Sequence, residues 1–266
     1  MAEPTSHLVV DDVRLEHHWV RVTKAGTPAP TLVFLHEGLG CVSTWRDFPD
    51  RLALATGLDA FVFSRAGYGR SDPCALPRPV RFMHDEAETL TRVLALAGIQ
   101  RSFLVGHSDG ASIALLHAGG PAGEHVDGVI LEAPHVFTEP EGLASIAAIG
   151  ETWQSSGLRE KLARHHGDNV DVAFRGWNDV WLDPEFESWN IEDVLPKVAA
   201  PVLIVQGEDD QYGTWRQVEA IERQVGGAAK SVPVPACGHS PHREQEQLTL
   251  AAMTAFIEKV LVEDRA

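Results

Sequence analysis

Near the middle of the chain, Gly106-His107-Ser108-Asp109-Gly110 sets a serine between two glycines in the pattern G-x-S-x-G. That pattern arises by chance in about one chain in ten of this length and glycine content, so its setting decides its meaning. It follows an apolar run at 102–105 and opens a helical pattern at 111–118. Strand, sharp turn and helix is the setting that presents a serine as a nucleophile. The two glycines suit the turn, because side chains there would collide with the neighbouring helix and strand. The helix start then aims free N–H groups and partial positive charge at Ser108. A serine that only caps the helix is the plainer alternative.

A serine hydroxyl needs a base to take its proton, and the base needs a carboxylate to hold it. In elbow enzymes the chain order is serine, acid, histidine. The run Pro201–Gln206 ends in Gly207-Glu208-Asp209-Asp210-Gln211, at the sheet edge where α/β ligands bind. Asp210 is taken as the acid, with Glu208 and Asp209 as rivals. The base should follow the last strand, where Cys237-Gly238-His239-Ser240-Pro241-His242 stands. The chain has 13 histidines, so position rather than residue type singles out His239. His242 is expected to begin the last helix. Glu132 is the reserve acid, and His135 should lie near the site. His239 and His242 lack both an H-E-x-x-H motif and a third ligand, so no metal is expected. Acyl transfer also needs two N–H donors at the developing oxyanion. The first is assigned to Asp109, the second to the loop His36-Glu37-Gly38-Leu39-Gly40, whose glycines let backbone approach a ligand.

These residues need a scaffold. Apolar runs at 31–36, 60–64, 102–106, 128–132 and 201–206, with a weaker one at 230–235, read as strands buried on both faces. Helical patterns at 83–97, 109–118, 214–225 and 245–262 alternate with them, which predicts a doubly wound, mostly parallel α/β sheet. The polar alternation of 8–22 suits an antiparallel opening hairpin. Between Pro134 and Val194 no strand-like run occurs, while helical patterns cover 141–155 and 158–166. The expectation is a core of residues 1–134 and 195–266 with a helical cap at 135–194; a loop-rich extension is the alternative. Trp153, Trp177, Trp181 and Trp189 all fall there. Trp177 and Trp181 share a face if their stretch is helical.

Composition narrows the partners. The 22 Lys and Arg against 38 Asp and Glu give a net charge of −16, which argues against a nucleic-acid binder or a polybasic membrane-surface protein. Hydrophobic content of 44% and charged content of 23% fit a folded domain rather than a disordered chain. No run approaches the roughly 18 apolar residues of a membrane span. Residues 1–5 lack the basic and apolar regions of a signal peptide. Three scattered cysteines form no disulfide framework. A cytoplasmic protein with a small-molecule substrate is expected, and a homodimer is allowed.

The ordered set of motifs resembles the α/β-hydrolase superfamily from His36 to His242. It comprises the 36–40 loop followed by Trp45, Arg65-Ala66-Gly67-Tyr68-Gly69-Arg70-Ser71, the 106–110 elbow, Gly207–Asp210 and Gly238-His239. The resemblance implies Ser108 as nucleophile, Asp210 as acid and His239 as base, with no cofactor. Relatives usually carry His-Gly where this chain has His36-Glu37. Keeping the usual loop length to Trp45 makes Gly38 the second oxyanion donor. Glu37 then pairs with an arginine such as Arg65, or touches substrate.

The expected chemistry is serine attack on an acyl carbonyl, proton transfer through His239, and hydrolysis of an acyl-enzyme. A serine at the elbow excludes the aspartate-nucleophile branches of the superfamily, and neither Tyr68 nor Tyr212 lies in the cap, as epoxide hydrolases would require. Candidate substrate contacts are Glu37, His107, His135, Trp177 and Trp181. A carboxylic ester or lactone of small to medium size is the leading substrate. Hydrolysis of a C–C bond in a ring-cleavage product, amide hydrolysis and perhydrolysis use the same residues. A ligand receptor on this fold is the non-enzymatic alternative.

Overall fold

The central strands are apolar at nearly every position because helices cover both faces of their sheet. The computed structural model describes residues 6–23 and 29–263. Its strands are β1 (Ser6–Val10), β2 (Val13–Val20), β3 (Thr31–Leu35), β4 (Ala60–Phe63), β5 (Ser102–His107), β6 (Val126–Glu132), β7 (Val202–Gly207) and β8 (Ala229–Val234). They form one sheet in the order β1-β2-β4-β3-β5-β6-β7-β8. The opening hairpin is antiparallel, as is its join to β4. All remaining neighbours are parallel.

The helices are α1 (Phe48–Thr56), α2 (Phe82–Ala97), α3 (Asp109–Ala118), α4 (Pro140–Thr152), α5 (Leu158–His166), α6 (Val170–Trp181), α7 (Trp215–Gln224), α8 (Pro241–Glu244) and α9 (Glu246–Glu263). Strand side chains alternate between two cores. Val33, Leu35, Leu104, Val129 and Ile204 join the layer built on α2, α3 and α7. Leu32, Phe34, Val105, Ile130 and Val205 face the layer of α1 and α9. Sequence patterning does not assign α1. It is only nine residues long, and its buried Phe48, Pro49, Leu52 and Ala53 give too short a repeat to stand out. Gly57, in the left-handed region at φ 69°, ends it.

Helices α4, α5 and α6 lie in the stretch between β6 and β7. Its two ends come together in a bridge between Phe137 and Asn190, and the Ile191 N–H donates to the Val136 carbonyl at 2.8 Å. The far end of the stretch is tied down as well. His166 accepts from the Gly69 N–H at 3.0 Å and donates from its other ring nitrogen to the Leu39 carbonyl at 3.0 Å. Asn169 donates to the Ser71 carbonyl at 2.7 Å. Among the described residues no helix is long and apolar enough to cross a membrane.

Candidate active site

Parallel strands deliver their C-terminal ends to one rim of the sheet, so residues just past β3, β5, β6, β7 and β8 meet there. Ser108 follows β5 directly and holds φ 52°, ψ −118°. A non-glycine residue in that region carries strain of about 1–3 kcal/mol, retained only where the surroundings enforce it. Here its N–H donates to the Glu132 carbonyl at 2.9 Å, and its own carbonyl receives the N–H groups of Ala111 and Ser112 at 2.8 and 3.2 Å. A Cβ on Gly106 would strike the α3 backbone at Gly110 and Ala111, and one on Gly110 would strike the end of β3 at Leu35. Both motif glycines are therefore demanded by helix–strand contact.

His239 and Asp210 converge from the loops after β8 and β7. His239 Nδ1 lies 2.9 Å from both carboxylate oxygens of Asp210. Asp210 also accepts from Gln206 Nε2 at 2.8 Å and from the Tyr212 N–H at 2.8 Å. Burial works against ionisation, but His239 and the Tyr212 N–H hold the Asp210 carboxyl down at about 2. Of the three rivals in this loop, Asp210 is the one bonded to the ring. Glu132 is engaged elsewhere: its Oε2 meets His242 Nδ1 at 2.9 Å and accepts the His242 N–H at 2.9 Å.

The 36–40 loop is fixed from below by Arg65, whose guanidinium donates to the Glu37 carbonyl at 2.9 Å and the His36 carbonyl at 3.3 Å. The Arg65 N–H donates to His36 Nε2 at 3.1 Å, and His36 Nδ1 donates to the Glu37 carbonyl at 2.7 Å. Burial and the neighbouring Arg65 charge keep this imidazole neutral, well below its usual pKa. The expected Glu37–Arg65 ion pair is not formed. Arg65 is occupied by main-chain carbonyls and lies 3.9 Å from the Asp109 carboxylate. The Glu37 carboxylate turns instead to His107, 3.6 Å from its Nδ1. Gly38 lies under the Trp177 indole so closely that a Cβ would overlap the ring.

A cavity of about 300 Å³ opens at this rim, and its walls include Ser108, His239, Glu37, Trp177, Trp181 and Tyr212. His135 and His107 also reach it. His135 packs 5.3 Å from Trp181 and 5.7 Å from His239, ring centre to ring centre. Burial and the nearby His239 push its pKa down to about 4. The four tryptophans separate into two roles. Trp177 and Trp181 line the cavity, and Trp181 Nε1 donates to Asp109 at 3.1 Å. Trp153 stacks on Phe174 at 3.7 Å and Trp189 on Phe186 at 5.2 Å, away from the opening. Among the described residues no group of three or more His, Cys, Asp or Glu side chains is placed to hold a metal ion. Sequence inspection does not reveal Gln206, nor Glu244, whose two oxygens accept the N–H groups of Gly238 at 2.8 Å and Ser240 at 3.0 Å. Neither has a motif to mark it.

The chain belongs to the Alpha/beta hydrolase family, whose profile matches residues 32–252. It is 42% identical over 229 residues to the "Putative carbamate hydrolase RutD" of Pseudomonas savastanoi pv. phaseolicola, a match spanning 75% of this chain and 83% of that one. It is 25% identical over 261 residues to a 2-succinyl-6-hydroxy-2,4-cyclohexadiene-1-carboxylate synthase of Serratia proteamaculans, spanning 86% and 93% of the two chains. An esterase from Exiguobacterium antarcticum shares the fold, with a TM-score of 0.74 at 18% identity over 96% of this chain and 100% of that one.

Proposed function

We propose that the protein is a serine hydrolase that cleaves a carboxylic ester or lactone of small to medium size through an acyl-enzyme. One observation carries the proposal: an Asp210-held imidazole at 2.9 Å shares a cavity wall with a serine in left-handed backbone geometry. In this mechanism His239 takes the Ser108 proton as the hydroxyl attacks the acyl carbonyl. The same imidazole then protonates the leaving alcohol. Asp210 fixes the tautomer and stabilises the imidazolium. The N–H groups of Asp109 and Gly38 receive the oxyanion. Water activated by His239 releases the acid and restores Ser108.

The stretch 135–194 acts as the cap, contributing Trp177 and Trp181 to the substrate walls. A volume of about 300 Å³ is at the small end for ligand pockets and favours a compact acyl group. Carbamate hydrolysis is the second reading, favoured by the 42% identity to a protein named for that reaction. Both use the same residues and differ in the carbonyl attacked, because nitrogen donation makes a carbamate less electrophilic than an ester.

The test is turnover of 4-nitrophenyl acetate and of a 4-nitrophenyl carbamate by the wild type and Ser108→Ala. Ester hydrolysis lost in the variant supports the first reading; a higher kcat/KM on the carbamate moves the assignment to the second. Equal inertness of both proteins to a broad ester and carbamate panel would end the serine-hydrolase proposal.

A further inference from the structure

His107 lies directly before Ser108 in the chain and is 1% exposed. Its Nε2 donates to the His239 main-chain carbonyl at 2.6 Å, while Nδ1 faces Glu37 Oε2 at 3.6 Å. Nε2 is spent on that carbonyl, and Nδ1 is buried beside the Glu37 carboxylate without a hydrogen bond, so neither ring nitrogen is open to substrate. On the opposite side, Glu244 holds the N–H groups of Gly238 and Ser240. Asp210 fixes the His239 ring, but where that ring stands relative to Ser108 depends on the backbone carrying it. Three consecutive residues of that backbone are held by Glu244 and His107 together.

We propose that His107, backed by Glu37, is a positioning residue for the base, tying the His239 loop to the nucleophile elbow and to the 36–40 loop. The inference rests on the serine-hydrolase reading and gives a purpose to Glu37, which forms no ion pair with Arg65. The tie joins three loops that must keep register for the reaction: Glu37 is next to the Gly38 donor, His107 next to the nucleophile, and its acceptor is the base's own carbonyl. A charged donor makes the shorter and stronger bond. The groups facing His107 are Glu37 after β3, Glu132 at the end of β6, His135 beyond it, His239 before α8 and His242 within α8. Burial opposes the charge, but Glu37 and Glu132 outweigh it and raise the His107 pKa to about 9.

The experiment compares His107→Leu, His107→Gln and Glu37→Gln with wild type, in kcat and KM for 4-nitrophenyl acetate from pH 6 to about 10 and in amide hydrogen exchange at residues 238–240. His107→Leu should lose roughly ten- to a hundredfold in kcat, as expected for a bond to a charged donor, with KM little changed. His107→Gln keeps an N–H donor and should recover most of that loss. Glu37→Gln should move the alkaline fall of kcat down from about pH 9 toward the ordinary histidine range. In His107→Leu the amides at 238–240 should exchange about tenfold faster or more. A wild-type kcat in His107→Leu, an alkaline limb unmoved by Glu37→Gln, or unchanged exchange at 238–240 would each overturn the proposal. If wild type and Ser108→Ala are equally inert while His107→Leu still frees the loop, the catalytic reading falls and the tie alone stands.

Discussion

Two carboxylate–imidazole pairs sit side by side at the rim of this sheet with the same contact distance. Asp210 meets His239 at 2.9 Å, and Glu132 meets His242 at 2.9 Å. Their surroundings differ. The His239 side chain is 14% exposed and lines the cavity with Ser108, whereas His242 is 4% exposed and packs against Trp45 and Phe48. A hydrogen-bonded acid and imidazole alone therefore do not single out the proposed base. A place on the cavity wall shared with Ser108 separates the proposed catalytic pair from the buried one. The buried pair holds the start of α8, whose own Glu244 braces the His239 loop, so it supports the exposed one.

The sharpest way to break this contrast is at the cavity pair. Ser108→Ala or His239→Ala should lower kcat on an activated ester by on the order of 10⁴–10⁶-fold, and Asp210→Asn by about 10⁴-fold through loss of the correct tautomer, with thermal unfolding little altered in Ser108→Ala. At the inner pair the balance reverses. Glu132→Leu should cost about 3–5 kcal/mol in urea unfolding, because His242 and its N–H lose their partner in a dry site. A larger effect on kcat than on stability would erase the distinction.

Stability against pH sharpens the comparison further. His135, lowered to about 4, removes stability as pH falls below the ordinary histidine value of about 6.5, since the unfolded chain binds the proton first. Asp210, held at about 2, adds a loss between its ordinary value of about 4 and about 2. His107, raised to about 9, contributes fully below about 6.5 and loses that contribution as pH climbs to about 9. Urea unfolding free energy should peak near neutrality and decline on both sides; a steady rise from pH 6 to 9 would contradict the His107 environment. The smallest expected effect is at the cavity roof. Trp181→Phe removes the N–H bond to Asp109 at a cost of about 1 kcal/mol, seen as a several-fold loss in kcat/KM.

Much of this was readable in one dimension. The apolar runs became β3 to β8 within a residue or two at most ends, because a strand buried on both faces has little freedom in composition. Helix α6 was legible only as a condition on Trp177 and Trp181, and α1 was not legible, because nine residues carry little periodic signal. At the site, Ser108 was marked by glycines that local contacts require, and His239 by its place after the last strand. Glu244 and Gln206 carried no mark, since any acceptor or amide at the right point in space would serve.

Chain order and local spacing therefore determined the sheet, the elbow and the candidates brought to its rim, because strand periodicity and turn geometry are written in neighbouring residues. Which acid holds which imidazole, that Glu37 turns to His107 rather than Arg65, and which two tryptophans face the cavity were decided by tertiary structure. Those contacts join residues 29 to 110 positions apart for the two acid–histidine pairs and 72 apart for Trp181 and Asp109. At such separations side-chain packing and competition for hydrogen-bonding groups choose the partner, and no local pattern encodes that choice.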